Sequence, residues 1–221
     1  MYTDAVTLVV DAGAAFMAHE IPVVFVVDDD VSVRESLELL IRAAGWHPEL
    51  FESPRAFLSH PRSQVPNCLI LDVNLPDLSG LDLQKLVAVE RTDMPIIFVT
   101  GYGDVPMTVK AMQAGAVEFL TKPFSDDVLL GAIAKALERS RTALALEAGI
   151  RALRQRHASL SRREQEVMGL VVTGLLNKQV GFKLGISEIT VKAHRGQVMR
   201  KMEAKSLPAL VNMAAMLGTM H

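Results

Sequence analysis

The chain lacks most of the features by which a protein is stapled, exported or held in a membrane. It has one cysteine in 221 residues, so no disulfide can form within it. No window approaches the roughly 18 unbroken apolar residues of a spanning helix, and the longest near the start, Val6 to Ala18, carries Asp11. The first twenty residues contain neither Lys nor Arg, which leaves no basic leading region for a secretory signal. The chain is therefore expected to be cytoplasmic. It has no internal repeat and no low-complexity tract. Gly101 and Gly103 hint at a phosphate loop, but no Gly-x-x-x-x-Gly-Lys-Ser/Thr segment occurs, so ATP hydrolysis is not expected.

What is present is half hydrophobic and 22% charged, in a length that suits one large or two small domains at roughly 100 to 200 residues each. The formal net charge of -2 hides an asymmetry. Residues 1–21 hold three acids and no Lys or Arg, residues 22–140 hold ten basic against seventeen acidic, and residues 141–221 hold thirteen against five. The second segment is thus -7 and the third +8. A small basic domain behind an acidic one points to a polyanionic partner for the tail, with a solvated basic surface as the alternative. Residues 1–21 read as an acidic, disordered extension, within which Met17 is an alternative start.

From residue 22 short apolar runs alternate with helical periodicity. Val23 to Val27, Cys68 to Leu71, Ile96 to Val99 and Ala116 to Leu120 read as buried strands, with a weaker one at Glu49 to Phe51. The first helix is expected over Val31 to Ala44, burying Leu37, Leu40, Ile41 and Ala44, with Gly45 as its left-handed cap. Ser53 and Pro54 open the second, and others follow near 81–91, 105–114 and 126 onward. Five strand–helix alternations predict an α/β doubly wound domain, a five-stranded parallel sheet covered on both faces, over residues 22–140. After Ser125 the apolar pattern runs through Leu129, Ile133, Leu137, Leu144, Ile150 and Leu153, so residues 141–157 are read as a helical linker, with Gly149 its one candidate break. Residues 158–221 are all helical in period, near 161–173, 177–184, 188–203 and 207–217. Cys68 is expected to be a buried strand residue, and the methionines mostly core.

In an open parallel sheet, ligands bind beyond the carboxyl ends of the strands. The first strand ends in Asp28, Asp29 and Asp30, the third in Asp72, the fourth in Thr100, and the fifth in Thr121 and Lys122. Carboxylates brought together raise one another's pKa, so a cation is needed among them. A few hard oxygen ligands suit Mg²⁺, and Lys122 adds positive charge. No histidine falls at a strand end, so a histidine-centred hydrolytic triad within this chain is not expected. Val-Val-Asp-Asp-Asp at 26–30, Leu-Asp-Val-Asn-Leu-Pro-Asp-Leu-Ser-Gly at 71–80, Val-Thr-Gly-Tyr-Gly-Asp at 99–104 and Phe-Leu-Thr-Lys-Pro-Phe at 119–124 resemble the signature blocks of bacterial response-regulator receiver domains, which are flavodoxin-like. That resemblance implies Asp72 as phosphoacceptor, Mg²⁺ on Asp28, Asp29, Asp72 and the main-chain carbonyl of Asn74, and Thr100 and Lys122 on the phosphoryl oxygens. It further implies Phe119 as an aromatic switch, a cis bond before Pro123, and a dimerisation face that includes Met107, Val109 and Met112. Phosphohydrolases of the haloacid dehalogenase type also form an aspartyl phosphate, but they carry a second aspartate two residues after the nucleophile, where this chain has Asn74. A metabolic enzyme is therefore not expected; self-phosphorylation from a donor and slow dephosphorylation are.

Residues 177–196 have the layout of a helix-turn-helix. Gly181 allows close approach, Gly185 fits the turn, Ser187 caps the second helix, and Val180, Leu184, Ile186 and Val191 fill the crossing. Leu-Ser-Arg-Arg-Glu-Gln-Glu-Val at 160–167, Asn-Lys-Gln at 177–179 and Thr-Val-Lys-Ala-His-Arg at 190–195 resemble LuxR-type DNA-binding domains, and the whole chain is similar to the FixJ/NarL group of regulators. At 100° per residue, Val191, Val198 and Met202 form the core face, and Ile189, Lys192, Ala193, Gly196 and Arg200 point outward, flanked by Arg195 and Gln197. With Lys178 and Thr190 added, the candidate DNA-facing set is Lys178, Thr190, Lys192, Ala193, Arg195, Gly196, Gln197 and Arg200. Gly196 departs from the larger residue common in relatives and costs a helix interior about 1 kcal/mol relative to Ala. The last helix, with Leu207, Leu210, Val211, Ala214 and Leu217, serves core closure, dimer contact or both. The resemblance implies a transcription regulator phosphorylated by a sensor histidine kinase, dimerising on phosphorylation, binding promoter DNA and meeting RNA polymerase. The alternative for the tail is protein contact.

Overall fold

The computed structural model describes residues 20–101 and 103–218, which divide into two compact units, one running up to Leu144 and one from Ala145. Apart from Glu20 and Ile21, the expected N-terminal extension, Met17 included, lies outside the described residues. Among the described residues no helix is long and apolar enough to cross a membrane.

The first unit alternates strands and helices: β1 (Val23–Val27), α1 (Val31–Ala43), β2 (His47–Phe51), α2 (Pro54–Leu58), β3 (Asn67–Leu71), α3 (Gly80–Glu90), β4 (Ile96–Thr100), α4 (Val105–Gln113), β5 (Glu118–Thr121) and α5 (Asp126–Ala158). The strands form one parallel sheet in the order β2-β1-β3-β4-β5. Side chains alternate across a strand, so β1 sends Phe25 and Val27 into one layer and Val24 and Val26 into the other. Phe57, Leu83, Val87 and Ala111 cover the first layer, and Leu37, Ile41, Leu129, Ile133 and Leu137 the second. Cys68 lies in the second layer, where burial pushes its thiol pKa up and keeps it protonated.

Several boundaries differ from the sequence expectation for identifiable reasons. Ala44 is exposed and Leu40 only half-buried, because α1 hands over to the left-handed Gly45 (φ 85°) and its apolar stripe ends at Ile41. β2 begins at His47 and includes Pro48, which an edge strand paired only with β1 can accept. β5 covers Glu118–Thr121 rather than 116–120. Ala116 and Val117 belong to the approach, with the Val117 N–H donating to Ile96 O at 2.7 Å. Gly149 does not break α5.

The second unit contains the last turns of α5, then α6 (Arg162–Val171), α7 (Asn177–Leu184), α8 (Glu188–Lys201) and α9 (Leu207–Met216). Leu153, Val167, Met168, Val180, Val191, Val198, Met202 and Leu210 form its core. α8 stops two residues before the expected 203, because Glu203 takes a left-handed φ of 56°. α9 closes the core through Leu210 and Ala214.

One polar link ties the start of α6 to the end of α8. Ser161 Oγ accepts the Glu164 N–H, and Glu164 Oε2 accepts the Ser161 N–H at 2.7 Å, a capping box that starts α6. The same oxygen accepts from Lys201 Nζ at 2.6 Å, at the end of α8. Lys201 first, then the Ser161 N–H, holds the Glu164 carboxyl below its ordinary pKa. A depressed folded-state pKa contributes stability that is complete above the unfolded value of about 4.3 and is lost as pH falls through the folded value. We expect Glu164→Gln to destabilise this unit by about 1 to 2 kcal/mol near neutrality. Hydrogen exchange of α6 and α8 amides should show that difference shrinking below about pH 4; a gap unchanged in acid would contradict it.

Candidate functional site

Three carboxylates meet at the carboxyl edge of the sheet. Asp28 and Asp29 follow β1 and Asp72 follows β3, and these neighbouring strands end in register, Val27 opposite Leu71. One oxygen from each carboxylate lies within 4.8 Å of the others. Asp28 is the buried member, with its side chain 4% exposed. Its Oδ1 accepts the Asp30 N–H at 2.9 Å and its Oδ2 accepts from Lys122 Nζ at 2.9 Å. Burial pushes its pKa up, outweighing the lowering by Lys122 and the Asp30 N–H. Lys122 Nζ is also 4.0 Å from Asp72 Oδ2. Asp30, the last of the three consecutive aspartates, turns instead to α1, where it accepts the Ser32 N–H at 2.8 Å as N-cap and its pKa falls.

The loops around the acids fix their backbone. Arg34 Nη1 donates to the Asp28 carbonyl at 2.7 Å, and the Asn74 N–H donates to Asp72 Oδ1 at 3.2 Å. The Gly80 N–H donates to Val73 O at 2.9 Å, and a Cβ on Gly80 would lie 2.3 Å from the Asp72 carbonyl oxygen. Thr100 ends β4 fully buried, and its carbonyl accepts the Lys122 N–H at 2.8 Å. The Lys122–Pro123 bond is cis. Phe119 is half-buried, its ring centroid 5.8 Å from that of Phe98. Gly103 lies against it: a Cβ there would come within 2.9 Å of Phe119 Cε1 and 2.8 Å of Thr121 Cγ2. Three oxygens from separate carboxylates and one ammonium make a donor set that fits a hard divalent cation beside an anion.

In the second unit, α7 and α8 cross at Gly181, where a Cβ would lie 2.7 Å from the Ile186 carbonyl. Gly185 turns the chain with φ 65°, and Ser187 Oγ caps α8 by accepting the Thr190 N–H at 3.1 Å. Val191 and Val198 face the core, while Lys192, Ala193, Gly196, Gln197 and Arg200 are exposed. Their side chains are partly engaged with one another. Lys192 Nζ is 3.1 Å from Glu188 Oε1, and Gln197 Oε1 accepts from Arg200 Nη2 at 2.6 Å. Lys178 is exposed on α7.

Residues 24–134 match the response regulator receiver domain, and residues 158–214 match the luxR family of bacterial regulatory proteins. Over 196 residues the chain is 50% identical to Nodulation protein W of Bradyrhizobium diazoefficiens, covering 89% of this chain and 86% of that protein. It is 44% identical over 199 residues to the response regulator protein TodT of Pseudomonas putida, covering 90% and 88%. The solved structure of the response regulator StyR superposes with a TM-score of 0.78 at 44% identity, over 89% of this chain and 99% of that one. The chain belongs to the LuxR-type response regulators.

The regulator brings Asp28, Asp29, Asp72 and Lys122 into one cluster, as their strand-end positions require. Besides Lys192, Gln197 and Arg200, two more of the residues expected on DNA have internal partners. Thr190 Oγ1 lies 2.8 Å from Ser187 Oγ within the cap, and Arg195 Nη1 donates to Asn177 Oδ1 at 3.1 Å, tying α8 to α7. Sequence reasoning missed Arg34, Gly103 and the Asn177–Arg195 link, whose partners lie far away along the chain or are main-chain atoms. The Glu188–Lys192 pair was within reach, since it has the i,i+4 spacing of a helical ion pair. The response regulator's Gly80 yields a direct test. A methyl group there must push the Asp72 carbonyl aside, so Gly80→Ala should cost about 1 to 3 kcal/mol. Gly101→Ala, whose Cβ meets nothing within 4 Å, is the control. Thermal melts in which both variants behave alike would remove the constraint on Asp72.

Proposed function

We propose that this response regulator accepts a phosphoryl group on Asp72 from a sensor histidine kinase and thereby controls its binding to promoter DNA in the cytoplasm. The observation that carries the reading is the convergence of Asp28, Asp29 and Asp72 within 4.8 Å beside the Lys122 ammonium. Asp72 attacks phosphorus with a carboxylate oxygen. The new O–P bond forms as the P–N bond of a phosphohistidine breaks, and the electron pair leaves with the imidazole nitrogen. A carboxylate needs no added base for this step; positioning and charge neutralisation suffice. Asp28, Asp29, Asp72 and the Asn74 carbonyl would hold Mg²⁺, which supplies positive charge to the transferring oxygens. Lys122 neutralises Asp28 beforehand and then turns to the phosphoryl group. Beyond self-phosphorylation from a donor and slow loss of the phosphate, the chain is a regulator and not an enzyme.

The new group brings roughly -1.5 to -2 charges and three acceptor oxygens. Thr100 is drawn toward them, and Phe119 moves into the space behind it. The adjoining α4 surface, with Met107 half-buried and Val109 and Met112 exposed, then becomes a dimer face. Two copies bind the promoter through Lys178, Thr190, Lys192, Ala193, Arg195, Gly196, Gln197 and Arg200, and meet RNA polymerase there. We read 1–21 as an extension, 22–140 as the receiver domain, 141–157 as the linker and 158–221 as the DNA-binding domain. The +8 charge of residues 141–221 supports the DNA reading over protein contact.

Asp72→Asn is expected to abolish Mg²⁺-dependent labelling by acetyl phosphate, together with any gain in sedimenting mass on adding it. Undiminished labelling of that variant would sink the Asp72 assignment, and equal mass with and without donor in the parent would sink the dimer. On DNA, Lys192→Ala should cost about 1 to 3 kcal/mol on a cognate duplex and relax discrimination at one base pair. Arg200→Ala should weaken all duplexes alike and reduce the salt slope by about one unit. Titrations in which Lys192→Ala loses equally on cognate and scrambled duplexes would move base reading elsewhere.

A further inference from the structure

Among the exposed residues of α8 one is a large aliphatic side chain, which has no part in phosphate binding. Ile189, the second residue of the helix, is 80% exposed. Its backbone is not loose: Ser187 caps the turn through the Thr190 N–H at 3.1 Å, and Glu188 and Lys192 pair at 3.1 Å along one flank of it. At 100° per residue, the buried Val191, Val198 and Met202 lie about 180 to 220° around the helix from Ile189, while Ala193, Gly196 and Arg200 lie within about 40° of it. Ile189 therefore stands at the amino end of the stripe that faces DNA, the end at which a recognition helix touches base edges.

A branched aliphatic side chain can neither donate to a phosphate nor bond a base edge. Pressed against the backbone it would only strip water from charged oxygens. The major groove offers it one complementary group, the C5-methyl of thymine. The surroundings permit the contact. Ala193 and Gly196 are exposed, and a Cβ on Gly196 would meet nothing within 4 Å, so the helix can approach closely without a long side chain as spacer. Lys192, meanwhile, is held by Glu188, and the acceptor of Gln197 is taken by Arg200. We infer that Ile189 reads the methyl group of a thymine in the major groove, so that the regulator separates a T·A from a C·G pair at one position of each half-site. The inference rests on the proposed binding of promoter DNA through α8.

The test removes the methyl group alone. A duplex is selected by the full-length chain with acetyl phosphate from a randomised pool, and each thymine is then replaced singly by deoxyuridine. The parent chain should lose about fourfold at one thymine per half-site, the equivalent of burying one methyl group at about 0.8 kcal/mol. Ile189→Ala should bind the unmodified duplex that much more weakly, show no further penalty at that thymine, and keep the parent's melting temperature. Ile189→Val, which retains a branched apolar group, should recover part of the penalty. A penalty that persists in Ile189→Ala and disappears in Ala193→Gly would give the contact to Ala193 and overturn the inference. Sequence-selective binding with no deoxyuridine penalty anywhere would overturn it while leaving the DNA reading intact. Failure to select any sequence would overturn both.

Discussion

A buried carboxylate at the end of the central strands is the constraint around which the first unit is organised. Asp28 has almost no access to water, and an ionised group there is costly unless its lone pairs are met. Its two oxygens are met by groups distant from each other in sequence, the Asp30 N–H two residues along and Lys122 after the last strand of the sheet. The second of these reaches from the end of β5 to the end of β1, across the ends of β3 and β4 that lie between them in the sheet. The sheet, with its two apolar layers, thus holds in place a polar arrangement that local sequence could never assemble. Removing one partner would leave an uncompensated charge where neither layer can relax around it.

The same economy appears in the second unit, where polar side chains are partnered before any DNA arrives. Glu188 with Lys192, Gln197 with Arg200, and Asn177 with Arg195 are bonds that must be kept or exchanged on binding. Exposed pairs of this kind contribute little stability, so exchanging them costs little. The half-buried Arg195 is different in kind, since it joins the two helices whose crossing at Gly181 sets the pose of α8.

How much of this is legible in the sequence follows from how local each determinant is. β1, β3 and β4 are buried on both faces, so they read as unbroken apolar runs. β2 pairs on one side only and carries a histidine and a proline, which blurs it. The end of α8 at Glu203 is invisible because glutamate has no preference for a left-handed backbone. At the acid site the carboxylates, Thr100, Phe119 and Lys122 stand at strand ends or inside family blocks and can be named from the sequence. The roles of Arg34, Gly80 and Gly103 cannot, because each depends on how near a main-chain atom or a ring comes in three dimensions. The internal partners of Thr190 and Arg195 are equally hidden, because family blocks and helix arithmetic carry no information about a cap or a neighbouring helix.

Pro48 in the edge strand has a further meaning. The His47 N–H donates inward to Pro22 O, so the next residue's nitrogen faces away from β1, toward the open side of the sheet. Proline has no hydrogen to offer there. The sheet loses no bond of its own, yet an incoming strand would find a rung missing from the ladder. At the opposite border β5 has only four residues, too short to template much. Among the described residues, then, neither margin of the sheet offers a long unbroken ladder on which further strands could stack into fibres.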